Sequence, residues 1–175
     1  MPLSRFQQRL SLGEIRDGDR IELVADEGAR AEIAQRLGLL ALDRLEAHVA
    51  LSRDGDTIEA KGRVKAALDQ ACVATGDPVR AHVDEAFDLR FIPEPTGTSP
   101  DEEVELSDDE LDTMFHDGKS IDLAAAVTDS LALALDPYPR SAAADAALRE
   151  AGVLSEEEAS PFAALAALKG KLPGE

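Results

Sequence analysis

The feature that most constrains the fold is a long stretch of alternating apolar and polar residues in the middle of the chain. Apolar residues occupy every second position from Leu45 to Leu51, again along Ile58–Leu68, and a third time along Val79–Phe91. Glu85 is the one break in the third stretch. Side chains of a β-strand point alternately to its two faces. The pattern therefore predicts three long strands, each with one apolar and one polar face.

The connections between these three segments are short and rich in turn residues. Arg53-Asp-Gly55 follows the first segment, and Thr75-Gly-Asp-Pro78 follows the second. Glycine supplies the left-handed backbone conformation that tight turns between strands require. Strands joined by such turns are antiparallel, and an apolar face needs other elements packed on it. We therefore expect an antiparallel meander with one solvent-exposed face.

Segments before the meander add strands and a first helix. The weak alternation from Leu3 to Leu12 and the clearer one in Arg20–Val24 predict two further strands. Asp26 is a favourable N-cap residue, and apolar residues then recur at helical spacing. The pattern predicts a helix from about Glu27 to Leu37, ended by Gly38 in the left-handed conformation.

After the meander, a second helix is predicted with Ser120 as its N-cap and Asp122 in its first turn. It ends before the Pro137-Tyr-Pro139 stop. The remaining predicted elements are short strands at Val104–Leu106 and Leu111–His116, a short helix at Ala142–Glu150 and a last helix that opens at Ser160-Pro161.

The predicted fold class is α+β. A curved antiparallel sheet of five or six strands is covered by two or three helices, and an acidic loop interrupts the second half. We expect residues 1–140 to form a single domain and residues 141–175 an alanine-rich helical tail. A chain of 175 residues is long enough to bury a core without a metal or a disulfide.

The formal net charge of −18 limits the kind of partner this chain binds. Nucleic-acid backbones are themselves densely negative, so a general nucleic-acid-binding surface is disfavoured and a basic partner is favoured. The single cysteine excludes an internal disulfide. The N-terminus lacks an apolar run, and no stretch approaches the length of a membrane span. We therefore expect a cytoplasmic protein that makes no membrane contact.

Residues 93–118 contain ten acidic residues and no lysine or arginine. One interpretation is a solvated loop, which is the usual role of such charge runs. The alternative is a docking surface for a basic protein, reached by long-range electrostatic steering. The candidate docking residues are Asp101, Glu102, Glu103, Asp108, Asp109 and Glu110.

A short basic stripe lies on the polar face of the second meander strand. Lys61, Arg63 and Lys65 alternate with the core positions there and form the one candidate RNA contact. Three exposed charges on a strand are also what the solvated side of any sheet carries. No aromatic residue stands between them to stack on bases.

Cys72 stands at a junction of strand and turn. A reactive thiol needs a nearby cation or a helix N-terminus to lower its pKa, and the neighbours Ala71, Val73 and Ala74 supply neither. We expect a structural role. The chain also offers too few Cys and His residues for structural zinc.

No pattern for catalysis is present in the sequence. His48, His82 and His116 fall on polar faces or in loops and are predicted to be solvated. Neither a nucleophile elbow nor a glycine-rich phosphate loop occurs. The sequence predicts no enzyme activity and no cofactor.

Three segments in order resemble a known family. Gln70-Ala-Cys-Val-Ala-Thr-Gly-Asp-Pro-Val79 is similar to the central signature of the YceD family, in which a Cys opens the turn between two strands. Ser120-Ile-Asp-Leu-Ala, with the Leu-Ala-Leu-Asp-Pro-Tyr-Pro139 stop, resembles its second signature, and Ser160-Pro-Phe-Ala-Ala-Leu-Ala-Ala-Leu-Lys169 its closing segment. The matching signature residues are Cys72, Thr75, Pro78, Asp122 and Leu123.

The resemblance implies a role in synthesis, processing or stability of the large-subunit (23S) ribosomal RNA. With the acidic composition, it suggests a non-catalytic accessory factor that contacts a basic large-subunit ribosomal protein or an assembly factor. The alternative is a direct RNA-binding module that uses Lys61, Arg63 and Lys65. The family is also described as metal-binding, but this chain lacks the second cysteine that other members carry, so that role is not expected here.

Overall fold

The structure, a computed structural model, describes residues 6, 9–94 and 112–153. Over these described residues the fold is α+β, with a five-stranded sheet, a two-stranded sheet and three helices. The elements in chain order are β1 (Arg9–Ser11), β2 (Arg20–Val24), α1 (Glu27–Leu37), β3 (Ala41–Asp54), β4 (Thr57–Ala71), β5 (Pro78–Pro93), β6 (Thr113–His116), β7 (Ser120–Asp122), α2 (Leu123–Ala134) and α3 (Ala144–Glu150).

The larger sheet has the strand order β2-β3-β4-β5-β6, so the predicted meander is confirmed. β2 and β4 each pair antiparallel with β3. β6 pairs parallel with β5, and here the prediction of a purely antiparallel sheet was wrong. Parallel neighbours need a connection of about a dozen residues or more, and the chain between Pro93 and Thr113 is long enough to supply it. The predicted curvature of the sheet stays a prediction.

The hairpin of β3 and β4 follows from local sequence. Gly55 adopts φ 61°, the left-handed conformation predicted at the turn. Both strands are longer than the alternating apolar residues alone indicated, because pairing continues from Asp54↔Thr57 to Ala41↔Asp69. A register shift between Leu42 and Arg44 interrupts this ladder.

The alternation in sequence becomes a two-faced sheet. The apolar positions of β3 and β4 are buried, among them Leu45, Leu51, Ile58 and Leu68. Helices α1 and α2 supply further residues to the same core, which accords with the predicted helical cover of the apolar face. Their contributions are Ala29, Ile33, Leu123, Ala124, Ala126, Val127 and Leu131.

The starts of α1 and α2 each depend on an aspartate side chain. Asp26 accepts a hydrogen bond from the Ala29 backbone N–H at 2.8 Å, and Gly38 ends α1 at φ 65°, as predicted. In α2 the N-cap is Asp122, which accepts from the Ala125 N–H at 2.9 Å. The prediction of Ser120 as the cap was wrong, because Ser120 pairs with Ser11 of β1 and is part of β7.

A second compact unit comprises Ala71–Val79 and the described residues from 138 to 153. It contains α3, which confirms the predicted short helix. The predicted division at residue 140 stays a prediction. The strand predicted at Val104–Leu106, the helix predicted at Ser160-Pro161 and residues 3–5, 7 and 8 of the first predicted strand lie outside the described residues; the rest of that strand contains β1. Within the described part, none of the helices has the length and apolarity to cross a membrane.

Candidate functional site

Cys72 lies in a tight turn that begins where β4 ends. Its backbone N–H donates to the Asp77 carbonyl at 2.8 Å, and its own carbonyl accepts from the Gly76 N–H at 2.8 Å. Gly76 adopts φ 76°, a conformation that side-chain-bearing residues rarely take. The turn therefore fixes the backbone on both sides of the cysteine.

A later segment of the same unit completes the surroundings of the thiol. The Val73 N–H donates to the Pro139 carbonyl at 2.9 Å. The Ser141 N–H donates to Cys72 Sγ at 3.3 Å, and the Ser141 hydroxyl lies 3.3 Å from the Thr75 hydroxyl. Ser141, far along the chain, thus contacts two signature residues of the turn, Cys72 and Thr75.

These donors change the acidity of the thiol. Hydrogen bonds from Ser141, through its hydroxyl and its backbone N–H, and then from Thr75, lower the pKa of Cys72 to about 6. Hydrogen bonds to the charged form favour it. As expected, neither a cation nor a helix N-terminus acts on this thiol. Its pKa is lowered instead by the Ser141 donors, 69 residues along the chain, and by the nearby Thr75 hydroxyl. The side chain is nevertheless only 3% exposed, so bulky reagents meet it only when the turn opens.

The residues around Cys72 do not fit a metal ion. Its polar neighbours are hydroxyl and backbone N–H groups, which donate to sulfur and leave a metal with a single ligand. Over the described ranges, no group of three His, Cys, Asp or Glu side chains is placed to hold a metal. That this chain binds no metal stays a prediction.

The basic stripe lies on the exposed face of β4, where each cation meets a carboxylate. Arg63 Nη1 lies 2.6 Å from Asp84 Oδ1, and Lys65 Nζ lies 3.9 Å from Asp84 Oδ2. The ammonium group of Lys61 lies 3.1 Å from Asp88 and 4.0 Å from Glu59. The pairs link β4 to β5 across the face of the sheet.

These ion pairs shift the pKa values of the groups that form them. The hydrogen bond from Arg63 holds the pKa of Asp84 below its usual range. The hydrogen bond to Asp88 raises the pKa of Lys61. The stripe is therefore an alternating arrangement of charges, and a phosphate group would have to compete with Asp84 and Asp88 for it.

His116 differs from the other two histidines. His48 and His82 are exposed, as predicted, but His116 is only 5% exposed, so its predicted solvation was wrong. Its Nε2 lies 2.7 Å from the Asp56 carbonyl, and its Nδ1 accepts from the Gly118 N–H at 3.0 Å. These partners assign the neutral tautomer with the proton on Nε2. Met114 and His116 stand at alternate positions of β6 and so share a face, which was the one feature of the sequence that indicated burial of His116.

The other predicted site residues have different placements. Pro78 is the first residue of β5, and Leu123, fully buried, is the first residue of α2 behind its cap Asp122. The candidate docking residues Asp101, Glu102, Glu103, Asp108, Asp109 and Glu110 lie outside the described residues.

Comparison with known proteins identifies the family. The family model described as "Large ribosomal RNA subunit accumulation protein YceD" matches residues 60–169, which is more than half of the chain. This range includes the turn around Cys72, Asp122 and α2. No match was found among curated proteins, and none among solved structures. The resemblance in the three ordered segments is thus confirmed, and the chain belongs to the YceD family of large ribosomal RNA subunit accumulation proteins.

Proposed function

We propose that this protein is a non-catalytic, cytoplasmic accessory factor in large-subunit ribosomal RNA accumulation that acts through protein contacts. Membership of the YceD family implies the role in ribosomal RNA accumulation. The mechanism proposed is docking of a basic protein, such as a large-subunit ribosomal protein or an assembly factor, on the acidic residues between 101 and 110.

The observation that carries this mechanism is the charge distribution. The chain has a net charge of −18, and residues 93–118 contribute ten acidic residues without one cation. A local excess of one charge attracts partners of the opposite charge and accelerates their association. The same negative charge repels ribosomal RNA, because its phosphates are negative as well.

The pairing of the basic stripe supports the same proposal. Lys61, Arg63 and Lys65 each lie within 4.0 Å of a carboxylate of this chain. A phosphate contact there would leave Asp84 and Asp88 without their partners, and it would place them beside the phosphate. Breaking these ion pairs costs free energy. This cost disfavours direct RNA contact and leaves protein docking as the favoured mechanism.

The first experiment is a pull-down of large-subunit components from lysate with the tagged protein, with and without ribonuclease, at low and high salt. We expect basic large-subunit proteins to be captured, to persist after ribonuclease and to be lost at high salt, since the contact is electrostatic. Capture that needs intact ribosomal RNA in every case contradicts the proposal.

A matched pair of variants localises the contact. One replaces the acidic residues Asp101, Glu102, Glu103, Asp108, Asp109 and Glu110 by their amides. The control removes the same charge from exposed carboxylates elsewhere, namely Glu14, Glu27, Glu32, Asp54, Glu85 and Glu150. Capture should be lost in the first and kept in the second. Equal loss in both would show that net charge alone matters and that the docking site is wrong.

The alternative function, direct RNA binding, rests on the exposed row of Lys61, Arg63 and Lys65 on β4. Changing all three to Glu should abolish RNA binding if that alternative holds, measured with purified large-subunit RNA. Under the docking proposal, the wild-type protein and this variant share the same weak RNA affinity.

A further inference from the structure

β2 forms one edge of the five-stranded sheet, with β3 on its inner side. The Leu51 N–H donates to the Asp19 carbonyl at 2.8 Å, and the Ala25 N–H donates to the Leu45 carbonyl at 3.0 Å. In an antiparallel pair, backbone groups face the partner strand at every second residue. The odd-numbered residues from 19 to 25 therefore face β3. The N–H and C=O groups of Arg20, Glu22 and Val24 point away from it.

On the exposed face of the sheet, the charged side chains of β2 differ from those of the other strands in their pairing. Each lysine or arginine that β3, β4 and β5 carry on this face has a carboxylate within 4.0 Å, namely Arg44, Lys61, Arg63, Lys65, Arg80 and Arg90. Arg20 and Glu22 of β2 are exposed on the same face. Among the described residues, neither side chain has a hydrogen bond or an ion pair.

We propose that two copies of this chain associate through their β2 edges in an antiparallel arrangement centred on Ile21. This register sets Arg20 of each copy opposite Glu22 of the other, so both unpaired charges gain a partner of opposite sign. The outward backbone groups of the same two residues then form the inter-chain ladder. The two neighbouring registers that keep these groups paired set Glu22 opposite Glu22 or Arg20 opposite Arg20, and like-charge repulsion disfavours both.

The apolar side of the edge is consistent with this pairing. Ile21 is half-buried at the border of the core, and the two-fold axis places it beside its own copy. Removal of this apolar surface from water would favour association. The two sheets would become one continuous sheet without exposed β2 edges. Each chain carries −18, so the association is expected to strengthen as salt screens the overall repulsion.

A charge-exchange series tests the register, with mass measured by sedimentation equilibrium over a range of protein and salt concentrations. The wild type should show a dimer of the chain. Glu22→Arg sets Arg20 opposite an arginine and should weaken dimerisation about tenfold or more. The double variant Arg20→Glu with Glu22→Arg restores opposite charges and should recover it. Glu22→Pro removes an outward N–H without touching the bonds to β3, and should also weaken the dimer.

A cysteine pair tests the axis independently. In a Cys72→Ser background, Ile21→Cys should form a disulfide-linked dimer under mild oxidation, since the two copies of residue 21 face each other. Val24→Cys on the same strand is the control, because it lies opposite residue 18 and should not link.

The proposal is overturned by a chain that stays monomeric at every concentration and salt level. A dimer that neither Glu22→Arg nor Glu22→Pro weakens, or that links equally through residues 21 and 24, overturns it as well. Circular dichroism of each variant confirms that its fold is kept. None of these measurements involves ribosomal components, so their outcome is independent of the proposed docking function.

Discussion

The aromatic ring of Phe87 covers the bare backbone of Gly62. A Cβ placed on Gly62 would lie 2.6 Å from Phe87 Cζ and 2.5 Å from the His48 carbonyl oxygen. Both distances are far inside van der Waals contact, and the second neighbour is backbone of the adjacent strand β3. The long central strand β4 therefore has a glycine at this position because the β3 backbone and the Phe87 ring of β5 leave no room for a Cβ.

Gly62→Ala should destabilise the protein by about 1–3 kcal/mol, the usual cost of overpacking a core. The free energy of unfolding is measured by urea denaturation. Gly13→Ala is the control, since the nearest atom to a Cβ there is 3.8 Å away. Adding Phe87→Leu to Gly62→Ala should restore little stability, because the His48 carbonyl remains. Full restoration would mean that the ring alone requires the glycine.

His116→Ala should lower the free energy of unfolding by about 1–3 kcal/mol, because the Asp56 carbonyl and the Gly118 N–H both lose a partner. Urea denaturation again measures the change. His82→Ala, at an exposed position, should stay within about 0.5 kcal/mol of the wild type. Equal losses in the two variants would contradict the structural role of His116.

Asp122→Ala should cost about 0.5–2 kcal/mol because the Ala125 N–H loses its acceptor at the start of α2. Asp122→Asn keeps a side-chain oxygen and should recover most of that loss, which separates capping from charge. Ser120→Ala distinguishes the observed cap from the one that sequence suggested, and it should have a smaller effect. A larger loss in Ser120→Ala than in Asp122→Ala would show that the helix starts earlier.

The thiolate of Cys72 should form with a midpoint near pH 6, followed by its ultraviolet absorbance, whereas the unfolded chain titrates near the ordinary thiol pKa of about 8.5. Between these values the unfolded chain binds more protons than the folded one, so stability rises with pH. Relative to Cys72→Ala, the wild type should gain stability from pH 6 towards pH 9. It should lose that advantage as the pH falls through 6.

Ser141→Ala removes the hydroxyl that contributes most to this shift and should move the midpoint upward. Ser52→Ala, an exposed serine on β3, is the control and should leave the midpoint unchanged. A midpoint near that of an ordinary thiol in the wild type would refute the role of Ser141.

Elements with local causes were predictable from the sequence. The strand alternation around Gly55 and the pair of Asp26 and Gly38 located a hairpin and a helix, because each signal and its structural effect lie within a few residues. The hydrophobic period also identified the exposed positions of Lys61, Arg63 and Lys65.

The failures share a physical origin in partners distant along the chain. Ser120 looks like a helix cap until β1 pairs with it, and β6 becomes parallel because of where a long connection returns the chain. His116 is buried and hydrogen-bonded to the Asp56 carbonyl of the β3–β4 turn, 60 residues earlier in the chain. Nothing in the sequence near Cys72 reports the donors that Ser141 supplies. Local composition could not reveal the state of that thiol or the pairing of the basic stripe with β5.

The separation of Cys72 and Ser141 in sequence also has a consequence during synthesis of the chain. The two residues are 69 positions apart, so a nascent chain that has emerged only as far as α2 lacks the Ser141 donors that contribute most to the low pKa of Cys72. The thiol acquires its low pKa only when the segment around Ser141 has emerged and folded against the turn. The titration of this single cysteine therefore reports whether the segment around Ser141 has packed against the turn.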